Sequence, residues 1–125
     1  MSREAGASLS PAGYCLNSKR MRVVTVGSDG GVDCNTVFNF WQSEDAVWAL
    51  YAGGNILQGF LIGRITGAAL EWEYLQLTRS GTRDKGTSSC MLFRLPDSGL
   101  LRLTESFRGL SRYGSGVNVL EEIWE

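Results

Sequence analysis

Hydrophobic and polar residues alternate along most of this chain, and glycine interrupts the alternation at nearly every junction. The clearest stretch covers residues 46–63 and reads A-V-W-A-L-Y-A-G-G-N-I-L-Q-G-F-L-I-G. Alternation with a period of two is typical of a strand that buries one face, and Gly53-Gly54 is a good two-residue hairpin loop. The stretch therefore predicts two strands joined by a tight turn.

The same pattern recurs and predicts eight strands. They cover residues 21–26, 35–42, 46–52, 55–65, 68–78, 87–95, 100–108 and 116–124. Polar or glycine-containing turns separate them, including an Asp-Gly turn at 28–31 and polar loops at 79–86 and 109–115. A helix over 120–125 is an alternative for the last segment, although six terminal residues are too few to hold a helix on their own.

Short connections between successive strands favour sequential antiparallel pairing. We therefore predict an all-β fold: an up-and-down barrel of about eight antiparallel strands, or a strongly curled meander. Closure is favoured because it removes exposed sheet edges. Residues 1–19 lack periodicity and predict a flexible N-terminal arm, or a tether near residues 14–16, ahead of a single β domain over 20–125.

Charge and cysteine content narrow the partners and the compartment. The net charge is −1, from 12 basic and 13 acidic residues, so we expect no nucleic-acid partner. No apolar run approaches the ~20 residues of a membrane helix, and the first residues lack the apolar segment of a secretory signal. Three cysteines without metal-ligand spacing indicate reduced thiols in the cytoplasm, with a Cys15–Cys34 disulfide as the alternative.

The chain contains no histidine. A Ser-His-Asp triad, a Cys-His pair and a histidine-ligated metal are therefore excluded. No cysteine cluster and no EF-hand spacing takes the place of a histidine site. We expect neither a metal nor a cofactor.

Two glutamates interrupt otherwise apolar faces in the last two predicted strands. Glu105 shares its face with Leu101, Leu103 and Phe107, and Glu121 shares its face with Val117, Val119 and Ile123. A third mixed face carries Trp72, Tyr74 and Gln76. Polar groups in an apolar cleft are the composition of a ligand site, so these faces would form one if they line the barrel interior. The candidate ligand-binding residues are Trp72, Tyr74, Gln76, Glu105 and Glu121.

The same residues allow other interpretations. An interior glutamate can be structural, accepting hydrogen bonds from Tyr74, Arg102 or Arg64. Two carboxylates whose pKa values differ can also serve as an acid–base pair, here Glu105 and Glu121. A one-residue slip in register would exchange the faces of the last strand and bring Glu122 inward instead of Glu121.

Several motifs together resemble a family of small, mostly bacterial proteins. They are T-x-F-x-F at 36–40, V-x-A-x-Y-x-G-G-x-I-x-x-G-x-L-x-G at 47–63, R-L-x-E-x-F at 102–107 and V-L-E-E-I at 119–123. Some members of that family carry the label N-acetylglutamate synthase. The usual acetyltransferase fold needs a glycine-rich turn between a strand and a helix to hold the pyrophosphate. In this chain the glycines precede no predicted helix, and the resemblance supplies no catalytic residue.

The sequence is compatible with three functions of different classes. The preferred one is a barrel without catalysis that binds a small apolar or amphipathic molecule. The second is a small enzyme that uses Glu105 and Glu121. The third is an interaction module, for example a homodimer built from exposed aromatic residues.

Overall fold

The computed structural model describes residues 13–27, 31–111 and 114–124. Within these ranges all regular structure is β-strand. The strands are β1 (Arg20–Thr25), β2 (Val37–Ser43), β3 (Ala46–Gly53), β4 (Ile56–Thr66), β5 (Ala69–Thr78), β6 (Arg83–Arg94), β7 (Leu101–Gly109) and β8 (Ser115–Glu122). The predicted strand positions agree with these to within a few residues, except at the start of β6.

The strands form a closed antiparallel barrel in which each pairs with the next along the chain. β8 returns to pair with β1, for example through Met21 opposite Glu122, and this pairing closes the ring. The predicted up-and-down barrel is confirmed. Its connections are short because antiparallel neighbours need only a hairpin to join them.

Alternation along each strand separates the interior from the outer surface. In β2, Phe38, Phe40 and Gln42 are buried, whereas Trp41 between them is 37% exposed. Phe40 packs against the interior rings of Phe38 and Trp72, with centroid separations of 6.1 Å and 6.0 Å. The predicted face of β5 that carries Trp72, Tyr74 and Gln76 is confirmed, since Trp72 and Gln76 are buried inside the barrel and Tyr74 packs against the core.

The two ends of the barrel differ. One end, called the closed end, carries the β2–β3, β4–β5 and β6–β7 connections. The segment before β1 also lies there: Leu16 is fully buried in the core, and its N–H donates to Oε1 of Gln42 at 2.9 Å. Tyr14 packs against the same core and lies beneath the guanidinium of Arg94 from β6. The segment thus caps the closed end.

The capping segment overlaps the flexible arm that was predicted over residues 1–19. Residues 1–12 of that arm lie outside the described residues, whereas the tether considered near residues 14–16 is present. The Asp-Gly turn predicted at 28–31 also falls mostly outside the described residues. The polar loop predicted at 79–86 is shorter than expected, because β6 already begins at Arg83 and pairs there with Leu77.

The opposite end, called the open end, carries the β1–β2, β3–β4, β5–β6 and β7–β8 connections. There the β1–β2 connection is fastened to the β3–β4 turn. Asp33 accepts hydrogen bonds from the backbone N–H groups of Asn35 and Asn55, at 2.8 Å and 3.1 Å. Thr36 donates its hydroxyl to the carbonyl of Gly53 at 3.0 Å. These bonds hold the β1–β2 connection at the rim.

Glycine is required at Gly53 for two reasons. Its φ is +118°, which side-chain-bearing residues rarely adopt, and a Cβ there would overlap the carbonyl oxygen of Asn35. The close approach of the two connections therefore depends on this residue.

Two further observations concern the cysteines and membrane-spanning helices. All three cysteines, Cys15, Cys34 and Cys90, are free, so the alternative disulfide is not formed. Across residues 13–27, 31–111 and 114–124, no helix is long and apolar enough to cross a membrane.

Candidate ligand site at the open end

A cavity enters the barrel from the open end and reaches its middle. Its lining comes from seven strands, β2 to β8, and from the β1–β2 and β7–β8 connections. The inward side chains along it include Phe38, Tyr51, Leu61, Trp72, Tyr74, Gln76, Asp84, Glu105, Phe107 and Asn118. The free volume is about 30 Å³, room for about two waters, since one water needs roughly 10–15 Å³.

Glu105 lies at the floor of the cavity, on β7. Its side chain is buried, and both carboxylate oxygens accept hydrogen bonds from neighbouring strands. Ser88 of β6 donates its hydroxyl to Oε2 at 2.6 Å, and Asn118 of β8 donates its amide to Oε1 at 3.1 Å. Asn118 in turn accepts from the N–H of Gly27 at 2.7 Å. The carboxyl group is therefore held by neutral donors.

Burial raises the pKa of Glu105 above its ordinary value of 4.5, because a charged carboxylate loses its hydration inside the barrel. The hydrogen bonds from Ser88 and Asn118, and the nearby indole of Trp72, oppose this rise by favouring the charged form. Loss of hydration is the larger effect, so the Glu105 carboxyl group holds its proton to a higher pH than an exposed glutamate does.

The indole of Trp72 forms a wall beside Glu105. Trp72 is only 3% exposed, yet its N–H donates no hydrogen bond of normal geometry to any described residue. A buried polar group without a partner costs free energy, and a bound water or ligand atom often satisfies it. The indole N–H lies near the Glu105 carboxylate at the cavity floor and favours its charged form, without forming a hydrogen bond of full geometry.

Tyr51 and Gln76 lie closer to the open end. The Tyr51 hydroxyl donates to Oε1 of Gln76 at 2.8 Å, and the ring of Tyr51 stacks on Phe38 with centroids 4.4 Å apart. Burial, reinforced by the negative charge of Glu105, raises the pKa of Tyr51 well above 10. The phenol stays neutral and keeps donating to the Gln76 oxygen, and the amide nitrogen of Gln76 lies beside Gly31 in the β1–β2 connection.

Four of the five candidate residues from the sequence come together here. Trp72, Tyr74, Gln76 and Glu105 all line the cavity. Glu121 does not, so its predicted interior position is corrected. It lies on the outer surface, where it accepts a hydrogen bond from Arg102 at 2.6 Å.

The position of Glu121 follows from the register of β8. Asn118 pairs with the inward Glu105, and Glu121 pairs with Arg102, whose side chain lies on the outer face. Antiparallel partners share a face, so Asn118 and Leu120 point inward and Glu121 points outward. The predicted acid–base pair is therefore not assembled, because its two carboxylates lie on opposite faces of the barrel wall. The predicted hydrogen-bond donors to Glu105 are also replaced, by Ser88 and Asn118.

Sequence reasoning missed Tyr51, Asp84 and Asn118, which line the cavity, and Ser88, which donates to Glu105. Tyr51 lies in a strand of mostly apolar residues, and Asp84 lies in a segment that was predicted to be a loop. Ser88 does alternate with the buried Cys90 and Leu92, which was a usable signal. Asn118 could be recognised only from the register of β8.

The lining is suited to binding. It combines apolar walls with a few fixed donors and acceptors, as small-molecule sites do. Among the described residues, no group of three or more cysteine, aspartate or glutamate side chains could hold a metal ion.

Comparison with known proteins identifies the family. The avidin-like protein family matches residues 14–123. No curated protein and no solved structure matches the chain. The matched region includes all eight strands and the segment that caps the closed end, and the part of it that the structure describes carries the whole described cavity lining. The chain therefore belongs to the avidin-like protein family, whose fold is a ligand-binding β-barrel.

Proposed function

We propose that this barrel binds a small amphipathic molecule in the cavity at its open end, without catalysis. The observation that carries the proposal is the buried polar floor, where the Glu105 carboxyl group and the indole N–H of Trp72 lie beside a cavity with apolar walls. A core evolved only for stability would gain more from apolar residues at these positions. Membership of a ligand-binding barrel family supports the same conclusion.

Ligand size follows from the free volume. A cavity of about 30 Å³ admits only a small group to the floor. The remainder of a larger ligand must extend beyond this cavity, past the rim of the open end. We therefore propose a molecule with a compact polar head at depth and an apolar body toward the open end.

Replacement of Trp72 by phenylalanine tests this site. We expect metabolites that raise the melting temperature of the wild-type protein to bind about tenfold more weakly to Trp72→Phe, since losing one hydrogen bond and part of a wall costs about 1–1.5 kcal/mol. Isothermal titration of each ligand found by a thermal-shift screen measures the change.

Trp124→Phe is the matched control, because Trp124 is 82% exposed and lies outside the cavity. Its ligand affinities should equal those of the wild-type protein within about twofold. If both variants bind the ligands equally well, the ligands do not occupy this cavity and the proposal is wrong.

The outer surface supports a second proposal, a homodimer. An outer apolar patch runs across β2 to β5 and consists of Trp41, Trp48, Leu50, Phe60, Ile62 and Leu75. Exposed apolar patches of this kind mark interaction sites. The row through Ile62 continues to Glu73, and the row through Leu75 continues to Lys85. These charged residues bound the patch at one edge, and a two-fold axis through its middle would lay the apolar residues of one copy on those of the other, so we propose a second copy of this chain as the occupant.

Phe60→Glu tests the dimer. Burying an unpaired charge costs about 3–5 kcal/mol, so we expect the dimer dissociation constant to rise at least about a hundredfold. Sedimentation equilibrium measures it. Val117→Glu is the control: Val117 is 48% exposed on β8, across the barrel from the patch, and its variant should dimerise normally. A wild-type protein that stays monomeric at all concentrations would contradict the proposal.

We also propose the cytoplasm as the compartment. The three free cysteines support this, since thiols persist in a reducing environment.

A further inference from the structure

The described lining of the cavity contains acidic residues but no inward-pointing lysine or arginine. Two carboxylates line it, those of Glu105 and Asp84. Lys85 is the one basic residue among the described lining residues, and its exposed side chain lies on the outer face, next to the inward Asp84. Asp84 already interacts with another group of the protein. A preference for a cationic ligand is therefore attributed to Glu105.

Glu105 can accept further hydrogen bonds. Ser88 and Asn118 each donate to one oxygen, the neutral indole of Trp72 also favours the charged form, and the two carboxylate oxygens together offer about four acceptor positions. Both donors are neutral, and no lysine or arginine among the described residues forms an ion pair with this carboxylate. A buried carboxylate is stabilised most by a positively charged donor. The floor of the cavity therefore favours a cation that donates hydrogen bonds.

The walls favour a cation as well. Five aromatic residues line the cavity: Phe38, Tyr51, Trp72, Tyr74 and Phe107. Aromatic faces attract cations, and the attraction increases when water is excluded. Aromatic walls combined with a carboxylate are the chemistry that recognises organic cations.

The free volume of the cavity limits which organic cations can reach Glu105. The free volume of the whole cavity, about 30 Å³, admits an ammonium group, which is about the size of a water molecule, but not an alkyl chain, which must extend past the open end. A guanidinium or a quaternary ammonium is larger than an ammonium group. We infer that the ligand of this cavity is a primary alkylamine, bound as the ammonium ion with its nitrogen against Glu105 and its apolar chain toward the open end. The inference rests on the proposed function and specifies its ligand class.

Three ligands with the same chain length test this inference: hexylammonium, hexan-1-ol and hexanoate. Titration calorimetry of the wild-type protein at neutral pH should show hexylammonium binding at least about tenfold more tightly than hexan-1-ol, as expected for a hydrogen bond to a charged group. Hexanoate should bind most weakly, because its charge repels Glu105.

Glu105→Gln should abolish the preference for hexylammonium over hexan-1-ol, so that the two ligands bind this variant with affinities equal within about twofold. Glu121→Gln is the matched control, since it removes the same charge from the outer surface of the adjacent strand. Its preference for hexylammonium should equal that of the wild-type protein.

The pH dependence gives a second readout that needs only the wild-type protein. Hexylammonium stays protonated below about pH 9, because alkylamines titrate near 10.4. Burial raises the pKa of Glu105, and an adjacent cation favours its charged form. Binding should therefore release a proton, and the affinity should rise with pH until Glu105 is ionised in the free protein. The titratable groups that face Glu105 from the neighbouring strands are Tyr51, Tyr74, Asp84 and Cys90.

The outcomes separate this inference from the proposed function. If hexan-1-ol binds as tightly as hexylammonium, or if the affinity for hexylammonium does not change with pH, the ligand class is wrong while ligand binding by the barrel stands. If none of the three ligands binds, the alkylamine inference is overturned, and the metabolite screen with Trp72→Phe decides the proposed function separately.

Discussion

Phe40→Ala is expected to lower the free energy of unfolding by about 3–5 kcal/mol, the cost of removing a large aromatic side chain from a core. Phe40 is 1% exposed and lies between Phe38 and Trp72 in the middle of the barrel. The closed ring of strands limits how far the walls can collapse into the space left by the ring. The cost should therefore lie toward the upper end of this range.

Chemical denaturation monitored by fluorescence measures the effect, and Trp41→Ala is its control. Trp41 is the next residue of β2 but points outward and is 37% exposed, so its replacement should cost less than about 1.5 kcal/mol. The measurement uses dilute protein, because Trp41 belongs to the outer apolar patch. Equal losses in the two variants would contradict the assigned faces of β2.

Gly53→Ala is expected to destabilise the protein by more than about 3 kcal/mol. The backbone conformation at Gly53 is strained for any residue with a side chain, which costs about 1–3 kcal/mol. The added Cβ would also overlap the carbonyl oxygen of Asn35, a backbone atom that cannot move alone. Relief of the overlap requires the β1–β2 connection to shift from the β3–β4 turn, and with it Val32 at the cavity rim.

Gly67→Ala separates the two causes. Gly67 also has a positive φ, +61°, but a Cβ there would meet no atom within 4 Å. Its variant should therefore lose only about 1–2 kcal/mol, from strain alone. Thermal and chemical unfolding of both variants measure the difference. If Gly53→Ala loses no more than Gly67→Ala, the two connections at the open end do not approach as closely as described.

The architecture was predictable because its determinants are local. Alternation identifies strands, and turns such as Gly53-Gly54 identify hairpins without any knowledge of distant residues. Consecutive hairpins then leave few topologies other than a meander. The face of β5 that carries Trp72, Tyr74 and Gln76 was predicted correctly for the same reason, since it depends on alternation within one strand.

The details of the site depend on pairing between strands, which the sequence does not show. Alternation placed Glu121 with Val117 and Val119 correctly, but it could not decide which face of β8 turns inward. That choice is made by the pairing of Glu105 with Asn118. The donors to Glu105 come from two different strands, so their identity also required the register.

The cap formed by Leu16 has a kinetic consequence. With the closed end capped, a ligand that enters between the connections of the open end must leave by the same route. Variants that loosen those connections, such as replacements of Asp33, then lower one barrier shared by association and dissociation. Both rate constants should increase by the same factor, so the time a ligand spends bound can change greatly while the equilibrium affinity stays the same.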